Sequence, residues 1–290
     1  MTEKRVSATL AALSSTAAIV FAAVCGAGAS TDSQGRGAYA DVNGIRMYYE
    51  SYGPSNGMPL VLLHGGGSTI DASFGRILPF FKRRVIAVEE QAHGRSGDRN
   101  APVTFETSAD DMAKLLVQLK IGQADLFGFS NGASVALQIA IRHPRAVHKL
   151  VFASSITKKD GAVPELWTHI RDASFDNMPQ VLKDAFLKVN PDPVKLRNMH
   201  EKDLERMRNF TDVPDADLRA IRAPTLILTG DRDIVKLEHA VELTHLIPNS
   251  RLLVLAGGHG EYMGEVTVPQ QGTRAAERTA EMIGEFLDAP

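Results

Sequence analysis

The sequence predicts an α/β fold, in which a mostly parallel sheet is flanked by helices and a small helical cap is inserted between two strands. Short apolar runs recur along the chain, as is typical of buried parallel strands. Segments with apolar residues at helical spacing lie between these runs, so that strand and helix alternate. The alternation stops between residues 156 and 220, and this interruption predicts the cap.

Eight strands are predicted from the short apolar runs, at 38–42, 46–52, 60–63, 84–88, 125–129, 148–153, 225–229 and 251–255. The first two flank Asn43-Gly44, a dipeptide that favours a tight hairpin turn. Helices are predicted from apolar residues at helical spacing, at 73–82, 108–119, 132–141, 238–246 and 274–287. These elements form a predicted core of residues 38–155 and 221–290. Within the cap, proline-separated amphipathic patches predict short helices at 165–173, 180–189 and 194–208.

Residues 1–29 have the layout of a signal peptide. Residues 4–5 are basic, residues 8–24 are small or apolar, and 27–29 offer an A-x-A cleavage site. A transmembrane anchor is the alternative, but a run of about 17 residues rich in alanine is short and weakly apolar for a span. We therefore expect a secreted or periplasmic protein with no stable membrane span in the mature chain, in which residues 30–37 form a linker.

The cysteine count and the net charge restrict the kinds of site and partner that the protein can have. Cys25 is the only cysteine and lies within the predicted signal peptide. It is also a candidate lipoprotein acceptor, although the residues before it fit that signal poorly. Cleavage after Ala29 leaves no thiol, which excludes a disulfide and the usual thiolate zinc sites. The net charge is −2, or −3 after cleavage, and does not indicate a nucleic acid partner.

Gly128-x-Ser130-x-Gly132 lies between a predicted strand and a predicted helix. This spacing is that of a nucleophile elbow, in which a serine occupies the apex of a sharp turn. Its neighbours must be small because strand and helix pass close to each other there. The alternative is that Ser130 only caps the helix.

Acidic and basic candidates follow two later strands. Asp231 and Asp233 come after the strand at 225–229, and His259 comes after the strand at 251–255. The carboxyl ends of parallel strands share one edge of a sheet, so these loops should meet Ser130 there. Histidine can take the proton of a serine hydroxyl, and a carboxylate can orient the histidine.

An acyl-transfer reaction also needs hydrogen-bond donors for the oxyanion that develops on the substrate. The backbone N–H groups of Asn131, after the serine, and of Gly66, in the loop His64-Gly65-Gly66-Gly67, are the candidates. The other histidines of the chain show no ligand spacing, so we predict no metal site and no cofactor.

Five motifs together resemble those of the α/β-hydrolase superfamily, over residues 38–290. They are HGGG at 64–67, AHGRS at 92–96, GFSNG at 128–132, GDRD at 230–233 and GGH at 257–259. The resemblance implies an α/β-hydrolase fold with Ser130 as nucleophile, Asp233 as acid, His259 as base, and a helical cap over the site. In that superfamily the acid usually ends the G-x-x-D motif, which favours Asp233 over Asp231.

The segment after the fourth strand departs from the superfamily pattern D-x-x-G-H-G-x-S. Glu89 stands at the Asp position and Ala92 at the first Gly. Because the segment is normally structural, we expect altered loop packing and an intact mechanism. His64 and His93 are expected to brace turns by hydrogen bonds, with a direct catalytic role as the alternative.

Three further residues are candidates for the substrate pocket. Gly67 belongs to the glycine loop, and Tyr262 follows the candidate base closely in sequence. Trp167 lies in the predicted cap, where packing within the cap is the alternative to substrate contact.

The expected function is therefore that of a secreted serine hydrolase. Its substrate would be a small carboxylic ester, with a lactone or an amide as variants, cleaved through an acyl-enzyme intermediate. A second hypothesis keeps the same three residues but cleaves a carbon–carbon bond. A third is a non-catalytic ligand-binding protein, because a fold does not by itself imply a function.

Overall fold

Eight strands form one sheet in the computed structural model, which describes residues 35–268 and 274–290. The strands are β1 Arg36–Val42, β2 Ile45–Tyr52, β3 Leu60–Leu63, β4 Val85–Val88, β5 Ala124–Phe129, β6 Val147–Ala153, β7 Thr225–Gly230 and β8 Ser250–Leu255. Their order in the sheet is β1-β2-β4-β3-β5-β6-β7-β8. The predicted signal peptide and most of the predicted linker lie outside the described residues. The linker's last two residues belong to β1.

The sheet is parallel except at one edge. β1 and β2 form an antiparallel hairpin, and β2 also pairs antiparallel with β4. Asn43 and Gly44 both have positive φ at the hairpin turn, with values of 45° and 85°. The strands from β4 to β8 pair in parallel, so the carboxyl ends of β3, β5, β7 and β8 lie at one edge of the sheet.

Nine helices accompany the sheet in the described part of the chain. They are α1 Ile70–Phe74, α2 Phe105–Gln118, α3 Asn131–Arg142, α4 Pro164–Asp172, α5 Gln180–Val189, α6 Pro193–Arg208, α7 Asp215–Ala220, α8 Leu237–Leu246 and α9 Ala275–Asp288. The helices α4–α7 lie between β6 and β7 and are called the inserted helices below. No helix among residues 35–268 and 274–290 combines the length and the apolar character that crossing a membrane requires.

Each face of the sheet carries its own apolar core. Along β3, Val61 and Leu63 pack with α2, α3 and α8, whereas Leu60 and Leu62 pack with α1 and α9. This alternation follows from the strand geometry, since successive side chains point to opposite faces. All four side chains are buried, which explains why the strand reads as a continuous apolar run.

The largest difference from the predicted elements concerns residues 73–82. The structure has α1 at Ile70–Phe74 and a separate 3-10 turn at Leu78–Phe80. Pro79 accounts for the break, because proline has no N–H to donate and its ring clashes with the preceding turn of a helix. The three patches predicted in the inserted segment correspond to α4, α5 and α6, while α7 was not predicted.

Candidate active site

The turn at Ser130 is sharp and strained. Ser130 has φ 54° and ψ −123°, which is a conformation that few residues other than glycine adopt. The two flanking glycines are required by close backbone contacts. A Cβ atom at Gly128 would lie 2.2 Å from the carbonyl oxygen of Gly132, and one at Gly132 would lie 2.1 Å from that of Leu63. The turn therefore holds the serine side chain away from both β5 and α3.

Ser130, His259 and Asp233 form one hydrogen-bonded chain. The Nε2 atom of His259 lies 3.1 Å from Ser130 Oγ, and its Nδ1 atom lies 2.7 Å from Asp233 Oδ1. Because a carboxylate only accepts hydrogen bonds, Nδ1 carries the proton and Nε2 is free to accept the serine proton. This is the arrangement that activates a serine hydroxyl.

Asp233 is held as a carboxylate. Burial by itself would raise its pKa, but hydrogen bonding and charge interaction with His259 outweigh burial and lower the pKa to about 2. Ser154 donates a second hydrogen bond to the carboxylate, and the backbone N–H of Ile234 donates a third at 2.7 Å. The neighbouring Asp231 instead accepts a hydrogen bond from the backbone N–H of Gly257 at 2.7 Å and so braces the loop before His259.

Two backbone N–H groups are available beside Ser130. Gly66 and Asn131 line the same cavity as Ser130, and within the described part of the chain neither N–H has a hydrogen-bond acceptor. The glycine loop is fixed by a hydrogen bond of 3.1 Å from the N–H of Gly65 to Ser73 Oγ. These donors could hold an oxyanion formed next to Ser130.

The cavity above Ser130, called the main cavity below, has a volume of about 280 Å³. Apolar side chains of the inserted helices form much of its wall, namely Leu166, Ile170, Met207 and the nearby Phe210. A side cavity of about 140 Å³ shares Gly66 and Asp203 with it and extends past Met178 and Leu182. Residues of α4 and α6 therefore form part of the wall of the main cavity, and residues of α4, α5 and α6 form part of the wall of the side cavity.

The three candidate pocket residues lie in different places. Gly67 lines the side cavity. Trp167 lines neither cavity; its indole N–H donates to the carbonyl oxygen of Lys159 at 2.7 Å, and its ring lies 5.8 Å from that of Phe210. Tyr262 is 1% exposed, and its hydroxyl oxygen lies 2.7 Å from Ser154 Oγ. Tyr262 thus contacts the support of Asp233 and not the cavity.

A buried ionic network lies next to the glycine loop and was not found by sequence reasoning. Arg206 bonds Glu90 at 2.8 Å and also bonds Asp203, and all three residues are at least nine-tenths buried. The Nδ2 atom of Asn131 lies 3.3 Å from Asp203 Oδ1. The available signal was on α6, where two charged residues follow Leu196 and Met199 on the buried face at helical spacing.

The loops after β3 and β4 are braced by histidines. His64 donates from Nδ1 to the carbonyl oxygen of Gly65 at 2.8 Å and accepts at Nε2 from the N–H of Glu90 at 3.2 Å. His93 donates from Nδ1 to the carbonyl oxygen of Gln91 at 3.0 Å. Each of the two histidine rings is therefore held by at least one backbone group, as expected of histidines that brace turns.

Glu89 and Ala92 show how the departures from the superfamily pattern are accommodated. The carboxylate of Glu89 accepts hydrogen bonds from the backbone N–H and the guanidinium of Arg95, at 2.6 and 3.0 Å for one oxygen. Ala92 has φ 65° and takes a left-handed conformation that glycine would adopt more easily.

Among the residues described, no group of His, Cys, Asp and Glu is placed to hold a metal ion.

Comparison with known proteins agrees with this geometry. A family model for the alpha/beta hydrolase fold matches residues 58–195. The 2-hydroxymuconate semialdehyde hydrolase of Pseudomonas sp. (strain CF600) is 30% identical over 276 aligned positions, which cover 84% of this chain and 91% of that enzyme. Serine hydrolase BPHL of Homo sapiens is 27% identical over 235 positions, covering 75% and 77%.

Among solved structures, 2-hydroxy-6-oxo-6-phenylhexa-2,4-dienoate hydrolase from Rhodococcus sp. strain RHA1 superposes with a TM-score of 0.72 at 20% identity. The superposition covers 88% of this chain and 99% of that one. The full-length similarity to a relative at 30% identity, the matching family model and the eight-stranded fold lead to one conclusion: the chain belongs to the α/β-hydrolase family.

Proposed function

We propose that this protein is a serine hydrolase that cleaves a small carboxylic ester through an acyl-enzyme intermediate. The observation that carries the proposal is the hydrogen-bonded chain from Ser130 through His259 to Asp233, which opens into a cavity with two free backbone N–H groups. A lactone or an amide would use the same groups. No cofactor takes part in the proposed reaction.

The reaction follows from the position of each group. Ser130 Oγ attacks the carbonyl carbon while its proton passes to His259 Nε2, and the backbone N–H groups of Gly66 and Asn131 hold the oxyanion. His259 then gives the proton to the leaving alkoxide oxygen, which leaves an acyl group on Ser130. Water attacks this acyl group and gives its proton to His259. Collapse of the second intermediate releases the acid and returns the proton to Ser130.

Cleavage of a carbon–carbon bond is the second candidate. Two of the similar proteins, 2-hydroxymuconate semialdehyde hydrolase and 2-hydroxy-6-oxo-6-phenylhexa-2,4-dienoate hydrolase, are named for acidic substrates. A dienoate carries a carboxylate, which a binding site usually meets with arginine or lysine. Neither the main cavity nor the side cavity is lined by either residue in the described part of this chain, and Asp203 lines both. This charge pattern favours an ester over a dienoate.

Labelling with a fluorophosphonate probe tests the proposal, since such a probe reacts with an activated serine. We expect an adduct on Ser130, located by peptide mass spectrometry, that is lost in His259→Ala. Ser155→Ala is the matched control, because Ser155 lines the same cavity and bonds Ser134, 2.8 Å away. A folded protein that binds small esters but neither reacts with the probe nor hydrolyses them would favour the non-catalytic hypothesis instead.

We also propose that the protein is exported and that residues 1–29 are removed. Sequencing the N-terminus of protein recovered from the periplasm or the medium should give Ser30 as the first residue. A mature chain that begins with a lipid-modified Cys25 would contradict this cleavage site and make the protein a lipoprotein.

A further inference from the structure

Asp203 places a negative charge next to Gly66, where it would disfavour the hydrolysis of a neutral ester. If a Cβ atom were built on Gly66, it would lie 2.5 Å from Asp203 Oδ2. The backbone N–H of Gly66 is one of the two groups proposed to hold the oxyanion. A carboxylate at this distance opposes the negative charge that develops on a neutral ester during the reaction.

Arg206 does not neutralise this charge, because it is shared. Its guanidinium bonds Glu90 on one side and Asp203 on the other, so two carboxylates meet one cation and one negative charge is left over. Burial would raise the pKa of Asp203, but charge interactions, chiefly with Arg206, outweigh burial and the net shift is downward, so the carboxylate is ionised at neutral pH.

In the described part of the chain, no histidine donates a hydrogen bond to Asp203. His169 lines both cavities, and His200 lines the side cavity, where burial lowers its pKa. His64 accepts a backbone N–H at Nε2 and donates from Nδ1 to a carbonyl oxygen, an arrangement that requires the neutral ring. Burial lowers the pKa of His93, whose Nε2 atom lies 3.9 Å from Asp203 Oδ1 and has no hydrogen-bond partner in the described part of the chain.

Asp203 also has unused acceptor capacity. The hydrogen bond from Arg206 and the shorter contact of Asn131 go to Oδ1, whereas Oδ2 has only a contact of 3.4 Å with Asn131 Nδ2. Asp203 lines both the main cavity and the side cavity. An ion pair formed there would be shielded from water and so would be strong.

We propose that the site selects esters that carry an ammonium group close to the scissile carbonyl, with Asp203 as the residue that binds the ammonium. This inference rests on the proposed ester hydrolysis and names its substrate class. Asp203 adjoins both residues that would hold the carbonyl oxygen, so the nitrogen should lie only a few bonds from the carbonyl carbon. The amine can belong to the acyl part or to the alcohol part, and the experiment separates the two.

Steady-state kinetics on matched esters tests the inference at about pH 6, where an α-amine is protonated. Benzyl propanoate is the neutral reference for the benzyl ester of alanine, which adds an ammonium to the acyl part. Propyl propanoate is the neutral reference for 2-aminoethyl propanoate, which adds an ammonium to the alcohol part. The benzyl monoester of succinic acid carries a negative charge instead. We expect at least one ammonium ester to exceed its neutral counterpart in kcat/KM by about tenfold to a hundredfold, as a charge-assisted hydrogen bond allows.

Asp203→Asn should reduce this ratio to about one. Glu201→Gln is the matched control, because it removes one negative charge from an exposed position of the same helix and should keep the ratio. The comparison of positive, neutral and negative esters in the unaltered protein does not depend on the folding of any variant.

The outcomes separate the two proposals. Hydrolysis of all esters at similar rates, or a preference for the succinate ester, would overturn the inference and leave the ester hydrolase intact. If no ester is cleaved and Ser130 does not react, the hydrolase proposal fails. Calorimetry with Ser130→Ala then still decides the inference, since alanine benzyl ester or 2-aminoethyl propanoate should bind this variant more tightly than its neutral counterpart does. Ser130→Ala/Asp203→Asn should abolish the difference.

Discussion

Asp231 and Asp233 lie two residues apart, yet their carboxylates have different partners. Asp233 bonds the ring of His259 and is fully buried at its side chain, whereas Asp231 bonds the backbone of Gly257 and is about half exposed. The sequence favoured Asp233 only through a superfamily motif. The hydrogen bonds give the physical reason, because only Asp233 can fix the tautomer of the histidine.

We expect Asp233→Asn to lower kcat for ester hydrolysis by about 10³–10⁴-fold, since an amide no longer stabilises the charged imidazole. Asp231→Asn should change kcat by less than about tenfold, because its loop hydrogen bond can be kept by the amide oxygen. Both variants should be checked for native circular dichroism. Equal losses in the two variants would contradict the assignment of the acid.

The lowered pKa of Asp233 also predicts a dependence of stability on pH. Its pKa is about 2 in the folded protein and near 4 in an unfolded chain, so the folded state is favoured above pH ~4 and this advantage is lost as the pH falls through about 2. The advantage amounts to roughly 2–3 kcal/mol in the free energy of unfolding.

Urea unfolding measured from about pH 6 down to about pH 2 checks this prediction. The difference in unfolding free energy between the unaltered protein and Asp233→Asn should shrink along this series. A difference that stays constant with pH would mean that the carboxylate gains nothing from folding.

At the level of elements, the turn between β5 and α3 is the most constrained segment of the site. We expect Gly128→Ala and Gly132→Ala each to cost about 1–3 kcal/mol of stability or more, because the added methyl group would overlap backbone atoms. Gly122→Ala is the control, since a Cβ atom there meets nothing within 4 Å. Thermal unfolding distinguishes these variants, and a normal melting temperature for Gly132→Ala would show that the turn can relax.

The helix α6 contributes Arg206, a buried cation that pairs with Glu90 and Asp203. Removing one partner of a buried ion pair costs about 3–5 kcal/mol, so we expect Arg206→Ala to destabilise the protein by this amount. Arg219→Ala breaks the exposed pair with Asp215 on α7 and should cost less than about 1 kcal/mol. Chemical denaturation measures both. Similar small effects would imply that Glu90 and Asp203 find other partners.

The strands β3, β4, β5 and β7 were predictable because their burial on both faces leaves a continuous apolar run. The elbow was predictable because its glycines are required by backbone contacts. The helix ends near Pro79 were harder to predict. The apolar pattern continues past Pro79, although proline has no N–H to donate to a helical hydrogen bond. Asp203 and Arg206 escaped notice for another reason. Charged residues are usually read as solvent-facing, and only the fold brings Glu90 next to them.

At the scale of the whole molecule, the catalytic residues and the substrate space have separate origins. Ser130, Asp233 and His259 come from loops of the sheet, while much of the cavity wall comes from the inserted helices. Chemistry and selectivity can therefore vary with some independence in this architecture. Asn131 connects them, because its backbone N–H is one of the two proposed oxyanion donors and its side chain contacts Asp203 on α6.

The Glu90–Arg206 bond has a consequence for protein engineering. A shortened enzyme made by deleting α4–α6 would lose Arg206 and leave Glu90 as an unpaired carboxylate next to the glycine loop. Grafting the corresponding helices of another hydrolase would do the same unless the donor brought a cation to that point. Any such chimera should therefore start from Glu90→Gln, or retain Asp203 and Arg206 as a unit, before its substrate range is redesigned.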